Sequence, residues 1–271
     1  MAGTRADTTE AMPPSFSHVV VIVLENKEAD ELLEGSEAPT FARLAREHAL
    51  LARYYTVAHP SLPNYLALVS GSTQGITSNC SDCLVDAPSL ADTLEAAGKT
   101  WKSYAEGLPR PGFTGAFAGR YAKKHNPFLY FRDVVGRPDR LARVVPLTRF
   151  RVDLAADQLP DFALVIPDLC HSMHDCPVAE GDAWLRAFVE PLLKSPAMRE
   201  SVVFVIFDEG RPSAGRDSLI PALALGPAVR PHSRYLRRTS HYGLLRTIED
   251  AWSLPRLGRS ARAAPISGIW R

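Results

Sequence analysis

A serine between two prolines is the residue of this sequence best placed to act as a nucleophile. Ser61 lies in the segment His59-Pro-Ser-Leu-Pro-Asn64, and residues 61–69 are predicted to form a helix that tolerates Pro63 in its first turn. A serine at a helix N-terminus lies beside free backbone N–H groups and the positive end of the helix dipole, which together attract anions. A metal ion in contact with the hydroxyl would promote its ionisation and make Ser61 a nucleophile. From spacing alone, an ordinary helix N-cap is the simpler interpretation.

Other polar residues are candidates for substrate binding and proton transfer. Asn64 is predicted to donate its side-chain amide to a phosphate oxygen, and His59 either lines the pocket or caps the turn. His171 is preferred to His174 as a functional histidine because it lies three residues after Asp168. A protonated histidine can donate to the oxygen of a leaving alcohol.

Three predicted strands end in residue types that bind metal ions. The apolar runs at 18–24, 162–166 and 201–207 are followed by Glu25-Asn26, by Asp168 and by Asp208-Glu209. The carboxyl ends of parallel strands meet at one edge of a sheet, so these groups are expected to lie together. Any one carboxylate alone would be a helix cap or a solvated loop residue, but packed together they would repel one another unless a cation lay between them. The oxygen ligands of Glu25, Asn26, Asp208 and Glu209 favour Ca²⁺, Mg²⁺ or Mn²⁺, with Zn²⁺ as the less suitable alternative.

The composition excludes several classes of partner. The chain has 271 residues, of which 46% are hydrophobic and 23% charged, and its 31 Lys and Arg balance 30 Asp and Glu. This near neutrality predicts no nucleic-acid partner, and no apolar run approaches the roughly 18 residues that a transmembrane helix needs. One late group of arginines is either a solvated loop or a patch for an anionic ligand, and its members are Arg230, Arg234, Arg237 and Arg238.

The four cysteines fall into two close pairs. Cys80 and Cys83 form one pair, and Cys170 and Cys176 form the other. Two local disulfides are the favoured prediction, and they indicate an oxidising compartment, so that the protein is expected to be secreted or periplasmic. Free thiols or a zinc site remain alternatives, although the second half of a four-cysteine zinc site is usually another CxxC.

Apolar patterning predicts an α/β fold, with a mostly parallel central sheet covered by helices on both faces. Continuous apolar runs predict strands at 18–24, 101–104, 162–166, 201–207 and 219–225. Helical spacing predicts helices at 40–51, 61–69, 89–98, 184–193 and 241–252. Residues 105–150, rich in Gly, Pro, Arg and aromatics, are predicted to run irregularly over the site. The polar start, 1–17, lacks the hydrophobic run of a signal peptide and is predicted to be a disordered lead-in to one domain, 18–271.

Several segments resemble known phosphate-transfer enzymes. Residues 61–71 are similar to the nucleophile segment of the alkaline phosphatase superfamily, in which a Thr or Ser followed by x-Pro-Asn opens a helix. Four further segments resemble the bacterial phosphoesterase family of acid phosphatases and phospholipases C, and they are 23–27, 124–128, 208–210 and 241–245. Within that family, residues 167–182 are most similar to secreted mycobacterial acid phosphatases that act on phosphatidylinositol 3-phosphate.

The resemblance implies a ligand set and a covalent intermediate. It implies one divalent metal ion held by five residues, with Ser61 also forming a phosphoenzyme; the five are Glu25, Asn26, Ser61, Asp208 and Glu209. Glu209 stands where two-metal relatives often have histidine, and a second ion remains an alternative. Three residues are instead predicted to form a phosphate-binding and proton-transfer cluster, with His171 or His241 as the proton donor; they are Asp168, His171 and His241. His125 is implied to contact the phosphate.

The implied function is that of a metal-dependent acid phosphatase acting on phosphate monoesters through a phosphoserine, with a phosphoinositide at a membrane surface as the candidate substrate. A monomer is expected. One alternative is a phospholipase C-like phosphodiesterase, which needs an apolar rim for its second ester group, and candidate residues are Phe113, Phe117, Phe128, Tyr130 and Phe131. A second alternative is a non-catalytic metal- and anion-binding module, against which the intact Ser61 and its four candidate metal ligands argue.

Overall fold

The computed structural model describes residues 11–271 except 212, 214 and 216. The strands are β1 (Val19–Leu24), β2 (Ala49–Leu51), β3 (Tyr54–Tyr55), β4 (Trp101–Ala105), β5 (Phe117–Ala118), β6 (Tyr121–Ala122), β7 (Val144–Pro146), β8 (Phe162–Ile166), β9 (Val202–Phe207), β10 (Ala222–Leu225), β11 (Ser233–Tyr235) and β12 (Thr239–Ser240). The helices are α1 (Ala29–Leu33), α2 (Pro39–Glu47), α3 (Ser61–Ser70), α4 (Leu90–Ala96), α5 (Arg132–Val135), α6 (Pro138–Leu141), α7 (Thr148–Ala155), α8 (Val178–Lys194) and α9 (His241–Ala251).

An eight-stranded sheet forms the centre of the fold, in the order β11-β2-β10-β9-β1-β8-β4-β7. β10 runs antiparallel to both of its neighbours, and every other pairing in this sheet is parallel. Every residue of β1, β8 and β9 is buried. Because successive strand residues point to opposite faces, the sheet is covered on both sides. The predicted α/β fold with a mostly parallel sheet is confirmed.

The central strands place the candidate metal ligands at one edge of the sheet. β1 lies between β8 and β9, and Leu24 at its end is in register with Phe207 at the end of β9. The amide of Asp208 continues the ladder by donating to the carbonyl oxygen of Leu24 at 3.1 Å. Glu25 and Asp208 therefore leave the sheet side by side, as the sequence predicts.

Several predicted boundaries are wrong, and each has a local cause. The helix predicted at 40–51 ends at Glu47, because residues 49–51 pair with β10 and β11 as β2. α8 begins at Val178, before the predicted start at residue 184. Gly181, in the first turns, is buried but has no side chain, so the helical pattern of apolar residues is interrupted there in the sequence. The strand predicted at 219–225 starts only after Pro221, which has no N–H to donate.

The segment 105–150 is more regular than predicted, since it holds β5, β6, α5, α6 and β7. The predicted lead-in also differs from the structure. Its residues 1–10 lie outside the described part of the chain, but Phe16 is buried and its carbonyl accepts a hydrogen bond from Trp252 Nε1 at 2.8 Å. The last residues of the predicted lead-in are thus part of the packed fold.

Both predicted disulfides are present, Cys80–Cys83 and Cys170–Cys176. The described part of the chain contains no helix with both the length and the apolar content needed to cross a bilayer.

Candidate active site

Ser61 is the first residue of α3, and its hydroxyl faces two carboxylates. Its Oγ lies 3.0 Å from Glu209 Oε1 and 3.3 Å from Glu25 Oε2, and the residue is 1% exposed. Every residue of α3 is buried, so the helix cannot shift without disturbing the core. Asn79 caps the helix by accepting a hydrogen bond from the amide of Leu62 at 3.0 Å. The hydroxyl of Ser61 is therefore held against acidic groups by a buried helix.

Asn64 holds the loop before Ser61 through hydrogen bonds to its backbone. Its Oδ1 accepts hydrogen bonds from the amides of Val57 and Ala58 at 3.1 and 2.9 Å, while its Nδ2 donates to the carbonyl oxygens of Ala58 and Pro60 at 2.8 and 3.3 Å. This placement is at odds with the prediction that Asn64 donates to phosphate, because both of its amide hydrogens are already used. Asn64 instead fixes the turn that leads into Ser61.

Three carboxylates, those of Glu25, Asp208 and Glu209, are buried close to one another in this site. Burial, together with the charge of Asp208, raises the pKa of Glu25 well above its usual range. Burial raises the pKa of Asp208 to about 7, with a further contribution from the charge of Glu209. Burial also raises the pKa of Glu209 to about 7. A cation between these groups would allow all three to ionise at neutral pH.

Two oxygen atoms in this cluster lack partners. Asn26 follows β1 in the left-handed conformation, with a φ of 52°, and its amide donates to Asp208 Oδ1 at 3.3 Å. Within the described residues, Asn26 Oδ1 and Asp208 Oδ2 are buried and receive no hydrogen bond. Buried polar atoms without partners are rare in folded proteins and often mark a ligand. The all-oxygen donor set predicted from the sequence thus fits a divalent cation.

His125 and His174 form a second wall of the site. His125 Nε2 lies 3.2 Å from Glu25 Oε2, and its ring stacks on Tyr65 at 5.3 Å and lies 5.8 Å from the ring of His174. Tyr65, one turn after Ser61, donates its hydroxyl hydrogen to Glu25. Burial lowers the pKa of His125 well below its usual range, aided by the charge of Lys124. Burial therefore favours the neutral form of the His125 ring.

Glu25, His125 and His174 form an alternative group of metal ligands, since their candidate atoms lie within 4.8 Å of one another. His174 Nε2, however, already accepts a hydrogen bond from Lys124 Nζ at 3.1 Å, and its Nδ1 contacts Asp175 at 2.6 Å. Both ring nitrogens are thus occupied. The oxygen set around Asp208 therefore fits a metal ion better than this histidine group does.

A second polar cluster contains Glu106, Asp168 and His171, again with candidate ligand atoms within 4.8 Å of one another. Glu106 Oε2 lies 2.9 Å from His171 Nδ1, and Asp168 Oδ1 accepts hydrogen bonds from the amides of Cys170 and His171, both at 2.9 Å. This arrangement is at odds with Asp168 as a substrate contact, because its carboxylate stabilises the turn that carries His171. The loop that follows β8 joins the two clusters, since Ser172 in it accepts a hydrogen bond from the amide of Glu25 at 2.8 Å.

The two remaining histidine predictions have different outcomes. His59 lies in the site, where Nδ1 contacts Glu209 and Nε2 lies 2.8 Å from the carbonyl oxygen of Gly215. His241 is fully enclosed, with Nδ1 2.9 Å from the hydroxyl of Tyr54 and Nε2 2.7 Å from the carbonyl oxygen of Asp208. Burial lowers the pKa of His241 to about 4. This geometry is at odds with His241 as a proton donor, and the residue instead supports the strand end that carries Asp208.

The sequence does not predict three of the residues that the structure places in the two polar clusters, and it ranks a fourth, His174, below His171. The three are Tyr65, Glu106 and Lys124. Tyr65 is one helical turn after Ser61, and Lys124 precedes His125 in a family-like segment, so weak signals existed for both. Nothing in the spacing marks Glu106, because the pairing of β4 with β8 is what brings it to Asp168.

Comparisons with known proteins identify the family of this chain. Residues 31–255 match the Phosphoesterase family. A phosphatidylinositol-3-phosphatase of Mycobacterium tuberculosis is 37% identical over 260 residues, covering 95% of this chain and 84% of that protein. An acid phosphatase of Aspergillus fumigatus is 32% identical over 228 residues, covering 80% of this chain and 51% of that protein. The chain spans 51–61% of the fungal acid phosphatases that it matches.

Solved structures share the fold at low sequence identity. A lipoteichoic acid synthase of Listeria monocytogenes aligns with a TM-score of 0.66 at 13% identity, over 99% of this chain and 79% of that chain. A protein of the alkaline phosphatase superfamily from Vibrio parahaemolyticus aligns with a TM-score of 0.63 at 13% identity, over 96% of this chain and 75% of that chain. These structures support the architecture alone, whereas the sequence matches support the family. The chain therefore belongs to the Phosphoesterase family, has the fold of the alkaline phosphatase superfamily, and is a phosphoric ester hydrolase.

Proposed function

We propose that this protein is a metal-dependent phosphomonoesterase that forms a phosphoserine on Ser61. The observation that carries the proposal is the position of Ser61 Oγ, which lies 3.0 and 3.3 Å from two buried carboxylates at the start of α3. A serine at this position has a neighbouring carboxylate that can act as a base, and the positive end of the helix dipole attracts the incoming phosphate.

A divalent ion fits the oxygen cluster, and the residues that would hold it are Glu25, Asn26, Ser61, Asp208 and Glu209. When bound, it supplies Lewis acidity that favours the ionised serine and neutralises charge on the phosphoryl group. The donor set favours Mg²⁺, Mn²⁺ or Ca²⁺.

Each proton transfer and each phosphate contact of the proposed reaction is assigned to a particular residue. Ser61 Oγ transfers its proton to Glu209 and bonds to phosphorus as the bond from phosphorus to the leaving alcohol breaks. Lys124, with a charge close enough to lower the pKa of Glu25 and Glu209, holds the phosphate oxygens together with His125. His171, held through Nδ1 by Glu106, donates a proton from Nε2 to the leaving oxygen. Water then attacks the phosphoserine and loses a proton to His171, while the bond from phosphorus to Ser61 Oγ breaks. Glu209 returns its proton to Oγ and so restores the hydroxyl of Ser61.

The proposed substrate class is a phosphate monoester, with a phosphoinositide monophosphate as the candidate. The mycobacterial relative, 37% identical over 95% of this chain, is a phosphatidylinositol-3-phosphatase by name. The apolar rim expected for a diesterase receives no support, because Phe128, Tyr130 and Phe131 are buried in the core and only Phe117 of the candidate set is largely exposed, at 63%. The two disulfides support a location in an oxidising compartment, so the proposed protein is secreted or periplasmic.

A side-by-side assay of three substrate types tests this function. The metal-loaded protein is given a soluble phosphomonoester, phosphatidylinositol 3-phosphate in vesicles and phosphatidylcholine in vesicles. We expect phosphate release from both monoesters and at least about 10²-fold lower kcat/KM on the diester, because three candidates for the apolar rim that a diesterase needs, Phe128, Tyr130 and Phe131, are buried in the core. Faster release of phosphocholine than of phosphate would instead establish a phospholipase C.

A further inference from the structure

A polar hollow of about 590 Å³ lies at the start of α9, outside the catalytic cluster. Its walls include Arg238 and Thr239 from the chain leading into α9 and two arginines, Arg259 and Arg262, from the turn beyond that helix. The late arginine group in the sequence is therefore divided: Arg238 lines the hollow, while Arg234 lies beside a different hollow with His232.

The charge of this hollow is positive. Three arginines line it, against one carboxylate, Asp217, which is 84% exposed and bonds Arg238 at 2.7 Å. Within the described residues, no carboxylate lies within 4.0 Å of the guanidinium groups of Arg259 or Arg262. A guanidinium presents a planar set of donors that matches the oxygens of a phosphate.

The backbone adds to this preference for anions. α9 has 11 residues, and the N–H groups of its first turn have no acceptors within the helix; that of Tyr242 donates to the side-chain oxygen of Ser240, the N-cap residue, at 3.3 Å. Tyr242 and Gly243 of that turn line the hollow. A Cβ at Gly243 would collide with the side chain of Thr239, so glycine lets this side chain pack directly against the turn. The positive end of the helix dipole therefore faces the hollow.

Thr239 provides an independent sign of a ligand. The residue is 7% exposed, it lines the hollow, and among the described residues its Oγ1 has no hydrogen-bond partner. A buried hydroxyl without a partner is costly, and here it belongs to a residue that lines the same hollow as the arginines.

We propose that this hollow binds a phosphate group in addition to the one at Ser61, through Arg259, Arg262, Arg238 and the hydroxyl of Thr239. Thr56 and Val57 form part of its wall and also hydrogen-bond Asn64 in front of the nucleophile, so the two sites share one loop. The ligand of this hollow is a phosphate anion, and its source is either a phospholipid headgroup or free phosphate.

Calorimetric titration of the metal-loaded protein with inorganic phosphate tests the site. We expect two phosphates to bind the unaltered protein and one to bind the Arg259→Gln/Arg262→Gln double variant. Thr239→Val, which removes only the hydroxyl, is expected to weaken the second site at least about 10-fold, because a charge-assisted hydrogen bond is lost. Arg137→Gln is the control, since Arg137 is exposed, as Arg259 and Arg262 are, but lies outside the hollow.

A second arm distinguishes the two sources of phosphate. In a Ser61→Ala background, binding to phosphatidylcholine vesicles with and without phosphatidic acid is measured by sedimentation. Loss of binding to the acidic vesicles in the double variant assigns the site to a lipid headgroup, and unchanged vesicle binding with loss of the second phosphate assigns it to free phosphate. Equal phosphate stoichiometry in the double variant and the unaltered protein overturns the proposal. The loss of one bound phosphate in the double variant is expected whether or not Ser61 reacts with a substrate, so the test does not depend on the proposed function. Turnover of a soluble monoester is expected to be unchanged in the double variant.

Discussion

The hydroxyl of Ser61 has neighbours that are distant in the sequence. The hydroxyl lies between Glu25, 36 positions earlier, and Glu209, 148 positions later. These partners were predictable because each follows an apolar run that can only be a buried strand. The roles of Asn64 and His241 were not, because hydrogen bonds within loops decide whether a polar side chain faces a substrate or its own backbone.

At the residue scale, His171 is expected to matter most for poor leaving groups. His171→Gln should lower kcat for an alkyl phosphate by about 10²-fold, because the leaving alkoxide must then depart without a proton. The loss for p-nitrophenyl phosphate should be less than about 10-fold, because its leaving group needs little protonation. Steady-state kinetics on the two substrates provide the measurement.

His174→Gln is the matched control for that experiment. His174 belongs to the wall with Lys124 and His125, so its loss should affect both substrates by the same factor. Equal losses on the two substrates for His171→Gln would remove His171 from the role of proton donor.

At the scale of elements, the sequence predicts the positions of the long strands along the chain but not the short elements that connect them. β1, β8 and β9 are uniformly apolar because both of their faces are buried, and such runs are unambiguous. β2 has only three residues, too few to show a strand pattern, and its place in the sheet comes from pairing with β10 and β11. The loop after β8, which carries His171 and His174, is shaped by its disulfide and by α8, and neither effect is visible in local spacing.

Gly181 in α8 is expected to control the position of that loop. A Cβ at this residue would collide with Met173 and lie 2.9 Å from the backbone oxygen of His171. Gly181→Ala should therefore lower the free energy of unfolding by about 1–3 kcal/mol and lower kcat by up to about 10²-fold, through displacement of His171. Chemical denaturation and steady-state kinetics measure the two effects.

Glu180→Ala, at the exposed neighbouring position, is the control and should change neither quantity appreciably. If Gly181→Ala leaves kcat unchanged while the protein is destabilised, the loop does not position a catalytic group.

At the scale of the whole molecule, the buried carboxylates couple stability to pH and to metal. Burial raises the folded-state pKa of Asp208 and Glu209 to about 7, above their values in an unfolded chain. The stability that these groups contribute is present at low pH and is lost as the pH rises through about 7. The buried histidines, whose pKa values are lowered, act in the opposite direction below their unfolded pKa of about 6.5, so the window above that value isolates the carboxylates.

The Tm of the metal-free protein is therefore expected to fall between pH 6.5 and 8, and saturating Mg²⁺ or Mn²⁺ should largely abolish the fall. Thermal unfolding with a chelator and with added metal provides the comparison. Glu249, whose pKa burial also raises to about 7, lies beside Ser260 and not in the site, so Glu249→Gln should leave the metal-dependent part unchanged. A Tm that rises over this window without metal contradicts the account.

The single-domain boundary and the monomeric state remain predictions.

The most direct test of the central claim is to trap the phosphoenzyme. The metal-loaded protein is mixed with a phosphate monoester, quenched in acid during turnover and digested, and the phosphorylated peptide is located by mass spectrometry. We expect the added phosphoryl group on Ser61, and no such adduct in Ser61→Ala, whose kcat should be at least about 10³-fold lower with metal binding retained. Phosphate on another residue, or unchanged turnover in Ser61→Ala, would contradict the assignment of Ser61 as the nucleophile.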